Sequence, residues 1–344
     1  MPGAAVLGAR GARLNRTTLF GARPDVPAGD VGAALAVAPT LCEHAALLGR
    51  ETSAYFGLLR ELGAFDLTTA RTLEPHLDAL TILAEAGVEP LDLSVGVTKA
   101  STWGVFASRA PELRAEHTGA GWRLSGTKPW CSLADRLTHA LVTVGTPEGQ
   151  RLFALGLDDS SVHVSSAPWV ARGLSAVRSP SVTFVDTPAE PVGEPGFYLG
   201  RDGFAWGGVG VAAIWAGAVD ALTRTVTNAA ERREPDQIAL MHLGRLSTYR
   251  HVLDVTLADA ASRIDAGQAA GTDGSRLAAQ ARAVVAEVAE NALSCVGHAL
   301  GPGPLTGDEE HARRVADLTV YLRQHHAERD LAAIGATVLE GTGE

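Results

Sequence analysis

The sequence predicts a mostly α chain with a small β-domain in its middle. Three observations carry this. An Ala- and Leu-rich stretch near the start has helical spacing, segment 91–192 breaks into short runs bounded by Gly, Pro and Ser, and the remainder returns to long apolar-periodic pieces. The expected division is an N-terminal helical domain over 1–92, a middle β-domain over 93–192 and a C-terminal four-helix bundle over 193–344.

In the first block, Leu41, Ala45 and Leu48, then Leu58, Leu59 and Leu62, recur on one helical face, while Gly63, Pro75 and Gly87 punctuate the pattern into three or four helices. In the second, runs at 113–117, 121–126, 140–144, 152–155, 162–164 and 182–185 read as strands. So many short strands with turn signals between them indicate a compact, barrel-like unit. In the third, helices are expected at 209–230, 242–265, 275–299 and 309–335, the first of them after a flexible glycine stretch at 203–208. Gly301-Pro-Gly-Pro304 separates the last two, because prolines cannot continue a helix. Four pieces of about 20 residues pack naturally as an antiparallel bundle.

Composition narrows the function classes. The chain has 344 residues, 46% of them hydrophobic, enough for two or three cores. Its net charge of −10 (39 acidic against 29 basic residues) repels phosphate backbones and argues against nucleic acid and anionic membranes as partners. Cys42, Cys131 and Cys295 are dispersed and odd in number, which gives neither a disulfide framework nor metal-ligand spacing. Segment 1–23 is rich in Gly, Ala and Arg and lacks the apolar run of a signal peptide; Arg10, Arg13 and Arg16 read as a frayed arm. No stretch approaches the ~20 apolar residues of a membrane span. A soluble, cytoplasmic protein is expected.

Three motifs stand out. Gly121-Trp-Arg-Leu-Ser-Gly-Thr-Lys-Pro-Trp-Cys-Ser132, the later run from Trp169 to Asp186, and Gly301-Pro-Gly303 followed by Arg314-Val-Ala-Asp317 together resemble the acyl-CoA dehydrogenase superfamily. The resemblance covers about 94–335 and implies an FAD cofactor. It also implies that Trp130, Cys131 and Ser132 lie against the isoalloxazine, where an indole offers a flat face and hydroxyl and N–H groups reach the ring edge. Arg232, whose guanidinium fork suits a pyrophosphate, and the glycine-rich turn at Gly301 and Gly303 would meet the rest of the cofactor. Arg232 would come from a neighbouring subunit, which implies a homodimer or homotetramer. The implied substrate is a small molecule or an acyl thioester. Taken residue by residue, Trp130 equally reads as a plug of the β-domain core, Ser132 as a turn closure and Arg232 as a surface charge at a helix end.

The sequence departs from that family in three places. Trp103-Gly-Val-Phe-Ala-Ser-Arg-Ala-Pro111 stands where the family has Thr-Glu-Pro-x-Ala-Gly-Ser-Asp, and Arg232-Arg-Glu-Pro-Asp236 keeps only the arginine of Arg-x-x-Phe-Gly. The family's glutamate base, counted from Asp317, is replaced by Gln324-His325-His326, and near its alternative location at Gly203-Phe204 the closest acid is Asp202. If the helix continues, Leu318, Leu322 and His325 share one face, so His325 points inward, while His326 joins Arg323 and Asp330 on a solvated face. His325 is thus the catalytic candidate, with Glu328 the second; a hydrogen-bonded core histidine is the competing reading. Adjacent helical residues diverge by about 100°, so the two histidines do not make a metal site. The expected function is an FAD-dependent oxidoreductase that is not an ordinary β-oxidation enzyme. The alternatives are a flavin-dependent monooxygenase of the same superfamily and a scaffold that has lost tight flavin binding.

Overall fold

The computed structural model describes residues 26–232 and 234–340; the arginine-bearing arm read at 1–23 lies outside them. The chain enters through α1 (Val31–Val37), where Asp30 caps the helix by accepting from the Ala33 N–H at 2.9 Å. A 3-10 stretch (Ala38–Leu47) leads to α2 (Thr52–Phe65) and α3 (Leu67–Glu85). Asp66 ends one helix and starts the next: its carboxylate accepts from the Thr69 N–H and hydroxyl at 2.8 and 2.9 Å, the satisfaction of orphan donors that makes Asp a good N-cap. Pro75 lies inside α3 and offers no N–H to the Arg71 carbonyl one turn back.

Seven strands follow: β1 (Trp103–Phe106), β2 (Arg114–Thr118), β3 (Gly121–Lys128), β4 (His139–Thr146), β5 (Gly149–Gly156), β6 (Val162–Val164) and β7 (Val182–Val192). They hydrogen-bond in the order β1-β4-β5-β7-β3-β2, with β6 branching onto β7. The long β7 belongs to both halves, pairing β5 through its end and β3 through its start. β2 lies beside β4, which curls the path back on itself. β1 was not expected as a strand, and it runs parallel to β4, from Trp103 opposite His139 to Phe106 opposite Val142; every other pairing is antiparallel. The parallel pair is possible because the chain between β1 and β4 runs out through β2 and β3 rather than through a tight hairpin.

The second helical region contains a short α4 (Phe197–Gly200), then α5 (Asp202–Glu231), α6 (Gln237–Asp265), α7 (Gly271–Leu300), a short α8 (Gly303–Gly307), α9 (Glu309–Tyr321) and α10 (Glu328–Glu340). The glycines at 203–208, read as flexible, are the first turns of α5. α5 also corrects the expectation that no stretch is long and apolar enough to span a membrane: its best window has mean hydropathy 1.4, and 78% of that window is buried inside the protein. It is the central helix, packed by α2, α6 and α7. Its approach to α2 is backbone against backbone. A Cβ on Gly63 would lie 2.1 Å from the Ile214 carbonyl oxygen, and one on Gly217 would lie 2.0 Å from that of Arg60. Beside this contact the buried Asp220 carboxylate accepts from Arg60 and Arg250 at 2.7 Å each, joining α2, α5 and α6.

The expected fourth bundle helix is broken. α9 ends at Tyr321, one 3-10 turn follows (Leu322–Gln324), and Ala327 has φ 47 before α10 begins. The histidine pair therefore sits on a link between helices, and His325 does not continue a helical face with Leu318 and Leu322.

Candidate functional site

The first part of the site is the edge that follows β3. Lys128 at the end of β3 is buried, and its Nζ donates to the Thr143 carbonyl and hydroxyl at 2.5 and 2.9 Å. Burial lowers its pKa to about 8. The chain then turns sharply, with Trp130 at φ 60 and Leu133 at φ 58, a backbone region that costs a non-glycine residue roughly 1–2 kcal/mol. The turn is held by the Cys131 and Leu133 N–H groups, which donate to the Pro180 and Arg178 carbonyls at 2.9 and 2.6 Å. The result is an indole that is 68% exposed, meeting Trp169 edge-on at 6.4 Å between centroids. Trp130 does not plug the β core. Cys131 turns inward instead: it is fully buried, burial pushes its thiol up to about 12, and its N–H is already bonded. It offers a ligand neither thiol nor amide and anchors the turn. Ser132 is half-buried, with Oγ 2.9 Å from Ser179 Oγ and 3.2 Å from Arg71 Nη2.

The loop carrying Trp169 is pinned to α9. The Leu174 N–H and the Thr68 hydroxyl both donate to Asp317, at 2.5 and 3.3 Å, while a Cβ on Gly173 would lie 1.9 Å from the Ala316 carbonyl oxygen. Burial raises Asp317 to about 6.

Beyond Arg71 opens a cavity of about 530 Å³ between α3, α5, α7 and the histidine link, lined among others by Glu74, Asp78, Arg201, Arg282, His325 and Asp330. Most of these charges are tied. Arg201 contacts Glu85 at 2.7 Å and Asp78 at 3.5 Å. Arg282 donates to the Gly208 carbonyl at 2.6 Å and lies 5.0 Å over the Trp215 ring. The His325 side chain is only 9% exposed; its Nε2 lacks a hydrogen-bond partner and sits 3.7 Å from Asp330 Oδ2. Burial lowers its pKa, which favours the neutral imidazole. His326 is 65% exposed, with Nδ1 3.5 Å from Asp330. Glu328 is exposed at the start of α10 and is absent from the cavity wall.

A second, more polar cavity of about 460 Å³ lies where α5 ends beside α8 and α9, lined by Arg224, Asn228, Arg232, Gly303, His311 and Arg314 among others. It brings together two of the residues picked out by sequence, Arg232 and Gly303; Gly301 caps α7 with φ 64 just outside it. Two buried polar atoms there, His311 Nδ1 and Arg314 Nε, have no partner among the described residues. The two cavities share no lining residue, and Trp130 belongs to neither. Among the described residues no group of three His, Cys, Asp or Glu side chains is placed to hold a metal ion.

The sequence reading missed Arg71, Glu74, Asp78, Arg201 and Arg282. A signal existed for the first three. At spacings of three and four they form a charged stripe on a helix whose neighbours Leu73 and Leu77 are fully buried. Arg201 and Arg282 reach the cavity from other segments and carry no local pattern.

No protein-family model and no curated protein matches the chain. Solved structures do. Butyryl-CoA dehydrogenase from Megasphaera elsdenii is 17% identical, with a TM-score of 0.74 over 90% of this chain and 88% of that one. KijD3, in complex with FMN and dTDP-3-amino-2,3,6-trideoxy-4-keto-3-methyl-D-glucose, is 20% identical, with a TM-score of 0.73 over 95% and 90%. PigA, in complex with FAD, is 16% identical, with a TM-score of 0.73 over 85% and 83%. At such identities the likeness is one of backbone path: the chain has the acyl-CoA dehydrogenase fold.

Proposed function

We propose that this protein is a flavin-dependent oxidoreductase that binds FAD and acts on a small molecule or acyl thioester, outside ordinary β-oxidation. The observation that carries the reading is Trp130. An indole left 68% exposed on a strained, firmly bonded turn is the kind of outlier that points to a ligand, and a flat aromatic ligand fits it. The neighbours of the same fold support a flavin, with FMN in one and FAD in another.

The residues present fit such a cofactor in two parts. Trp130 and the Ser132 hydroxyl would face the ring system. Arg232, Gly303 and the unpartnered Arg314 Nε and His311 Nδ1 would take the pyrophosphate, where a guanidinium fork and free donors match phosphate oxygens. Because the two parts share no cavity, one flavin would draw them from two copies of the chain. When bound, the flavin supplies a two-electron acceptor or, reduced, a partner for O2. The chain's own contribution is the cavity and the His325 imidazole, which burial biases toward its neutral form and whose Nε2, unpartnered among the described residues, can accept or hold a substrate proton. The link at 322–327 carries no carboxylate, and Asp330, in the first turn of α10 on the cavity wall, is engaged by His326. This separates the site from thioester α-deprotonation by a glutamate on that link.

Titrating the purified chain with FAD tests the proposal. A yellow complex at micromolar affinity supports it; absence of binding at any protein concentration leaves only a scaffold. With flavin bound, dye reduction by acyl thioesters identifies a dehydrogenase. O2 uptake by the reduced complex with a small molecule identifies a monooxygenase.

A further inference from the structure

We propose that Glu74, on α3 in the first helical region, is the proton-transfer group of the 530 Å³ cavity, with Arg71 as its positioning residue and link to the Trp130–Ser132 edge. The proposal rests on the flavin reading only for what accepts the electrons; the proton step stands by itself.

Three acidic groups line the cavity, Glu74, Asp78 and Asp330, and Glu74 is the one that Arg71 joins to Ser132 beside the Trp130 turn. Glu85 and Asp78 hold Arg201 at 2.7 and 3.5 Å. Asp330 accepts from the His326 N–H at 3.0 Å and faces both imidazoles. Glu74 accepts from Arg71 Nη1 at 3.4 Å, about the distance at which Asp78 meets Arg201, and its side chain is 13% exposed, on the cavity wall. On the same cavity's lining, the buried His325 Nε2 has no hydrogen-bond partner among the described residues. A carboxylate held by a single arginine and an imidazole nitrogen left free, lining one cavity, are what a proton donor–acceptor pair requires.

Arg71 explains how such a group is held. Its guanidinium reaches Glu74 with Nη1 and Ser132 Oγ with Nη2, and it lies 5.9 Å over the Tyr321 ring. One residue thus connects the exposed Trp130 turn to the carboxylate. Pro75 immediately after Glu74 leaves the Arg71 carbonyl without its helical N–H.

The charged and titratable groups facing Glu74 are Arg71 and Asp78 on its own helix and Arg282 on α7. Tyr55 on α2, Tyr198 on α4 and Tyr321 at the end of α9 face it as well. Burial raises the Glu74 pKa to about 7, against the opposing pull of Arg71. A carboxyl raised in this way holds its proton to a higher pH than an ordinary glutamate.

The step is a proton transfer only. A substrate C–H bond breaks, its electron pair stays on the substrate as a stabilised carbanion, and an O–H bond forms at Glu74; oxidation is a separate event and needs no part here. The test uses the full chain, with and without FAD, in D2O. NMR follows exchange of the acidic C–H protons of three weak carbon acids: propionyl-pantetheine, nitroethane and phenylacetone. The wild type is expected to accelerate exchange of at least one, Glu74→Gln to lose it by 100-fold or more, and Glu74→Asp to recover part. Arg71→Met is expected to move the pH midpoint of exchange upward, a shift that a merely structural arginine would not produce. Exchange in Glu74→Gln equal to wild type, or no acceleration by the wild type for any of the three, overturns the proposal. Flavin titration reads the wider functional proposal separately: a chain that binds FAD but exchanges without Glu74 fails here alone, and one that exchanges through Glu74 without binding FAD fails there alone.

Discussion

Trp130 and Trp169 meet edge to face, yet one indole is 68% exposed and the other lies half-buried in a loop docked on α9. If the exposed ring is the flavin platform, Trp130→Ala lowers FAD affinity several-fold to tenfold, since stacking beyond area burial is worth roughly 0.5–1.5 kcal/mol. Trp169→Ala then has the smaller effect. Fluorescence titration of both variants decides, and equal losses would reduce Trp130 to an accidental exposure. The histidines separate in the same manner. His325→Ala is expected to lower turnover by about 10²–10⁴-fold, the range for a positioned acid or base, with flavin content unchanged. His326, 65% exposed, is expected to be nearly silent when changed to Ala. Full activity of His325→Ala on any substrate that emerges would remove it from the chemistry.

At the scale of elements, the link between α9 and α10 and the loop carrying Trp169 are the two structures that build the site, and both depend on α9. Asp317 ties the loop through the Leu174 N–H. Its pKa in the fold, raised by burial to about 6, exceeds the ordinary value of 3.8. A carboxyl raised in this way favours the folded state most below pH 4, and that contribution, about 3 kcal/mol for a rise of this size, is lost as pH climbs through 6. Asp317→Asn keeps an acceptor for Leu174 and has no proton to lose. Urea melts should therefore show the wild type losing stability relative to this variant between pH 4 and 7; parallel curves would mean that Asp317 ionises freely in the fold. The α2–α5 contact gives a second outcome. Gly217→Ala sets a methyl against the Arg60 carbonyl and is expected to cost about 3 kcal/mol, the upper end for overpacking, read as a lower urea midpoint.

For the whole molecule, the two groups of proposed cofactor contacts lie in separate places, which makes a second copy part of the functional reading. Light scattering is expected to show at least a dimer at micromolar concentration; a stable monomer removes the trans role of Arg232. Complementation is sharper. Trp130→Ala and Arg232→Ala chains, each weak in FAD binding alone, should regain roughly a quarter of the sites when unfolded and refolded together, because half the random dimers carry one intact site of two. No recovery on mixing would place both groups around the same chain's flavin.

What the sequence determined by itself were the features written in local patterns. Helical periodicity located α2, α3 and the long helices after 195, and alternating short runs located β2 to β7, because burial of one face acts on neighbours in the chain. The Gly-Thr-Lys-Pro-Trp-Cys-Ser segment marked the turn that holds Trp130. The tertiary structure decided the rest. It made β1 a parallel strand, broke the last helix at His325, turned Cys131 inward and set Glu328 on the surface. It also gathered Glu74, Arg201, Arg282 and His325 around one cavity. Residues so distant in sequence meet only when α3, α5, α7 and the α9–α10 link pack together. The charge each can keep depends on partners that no local pattern names, as Arg201 does for Asp78 and Glu85.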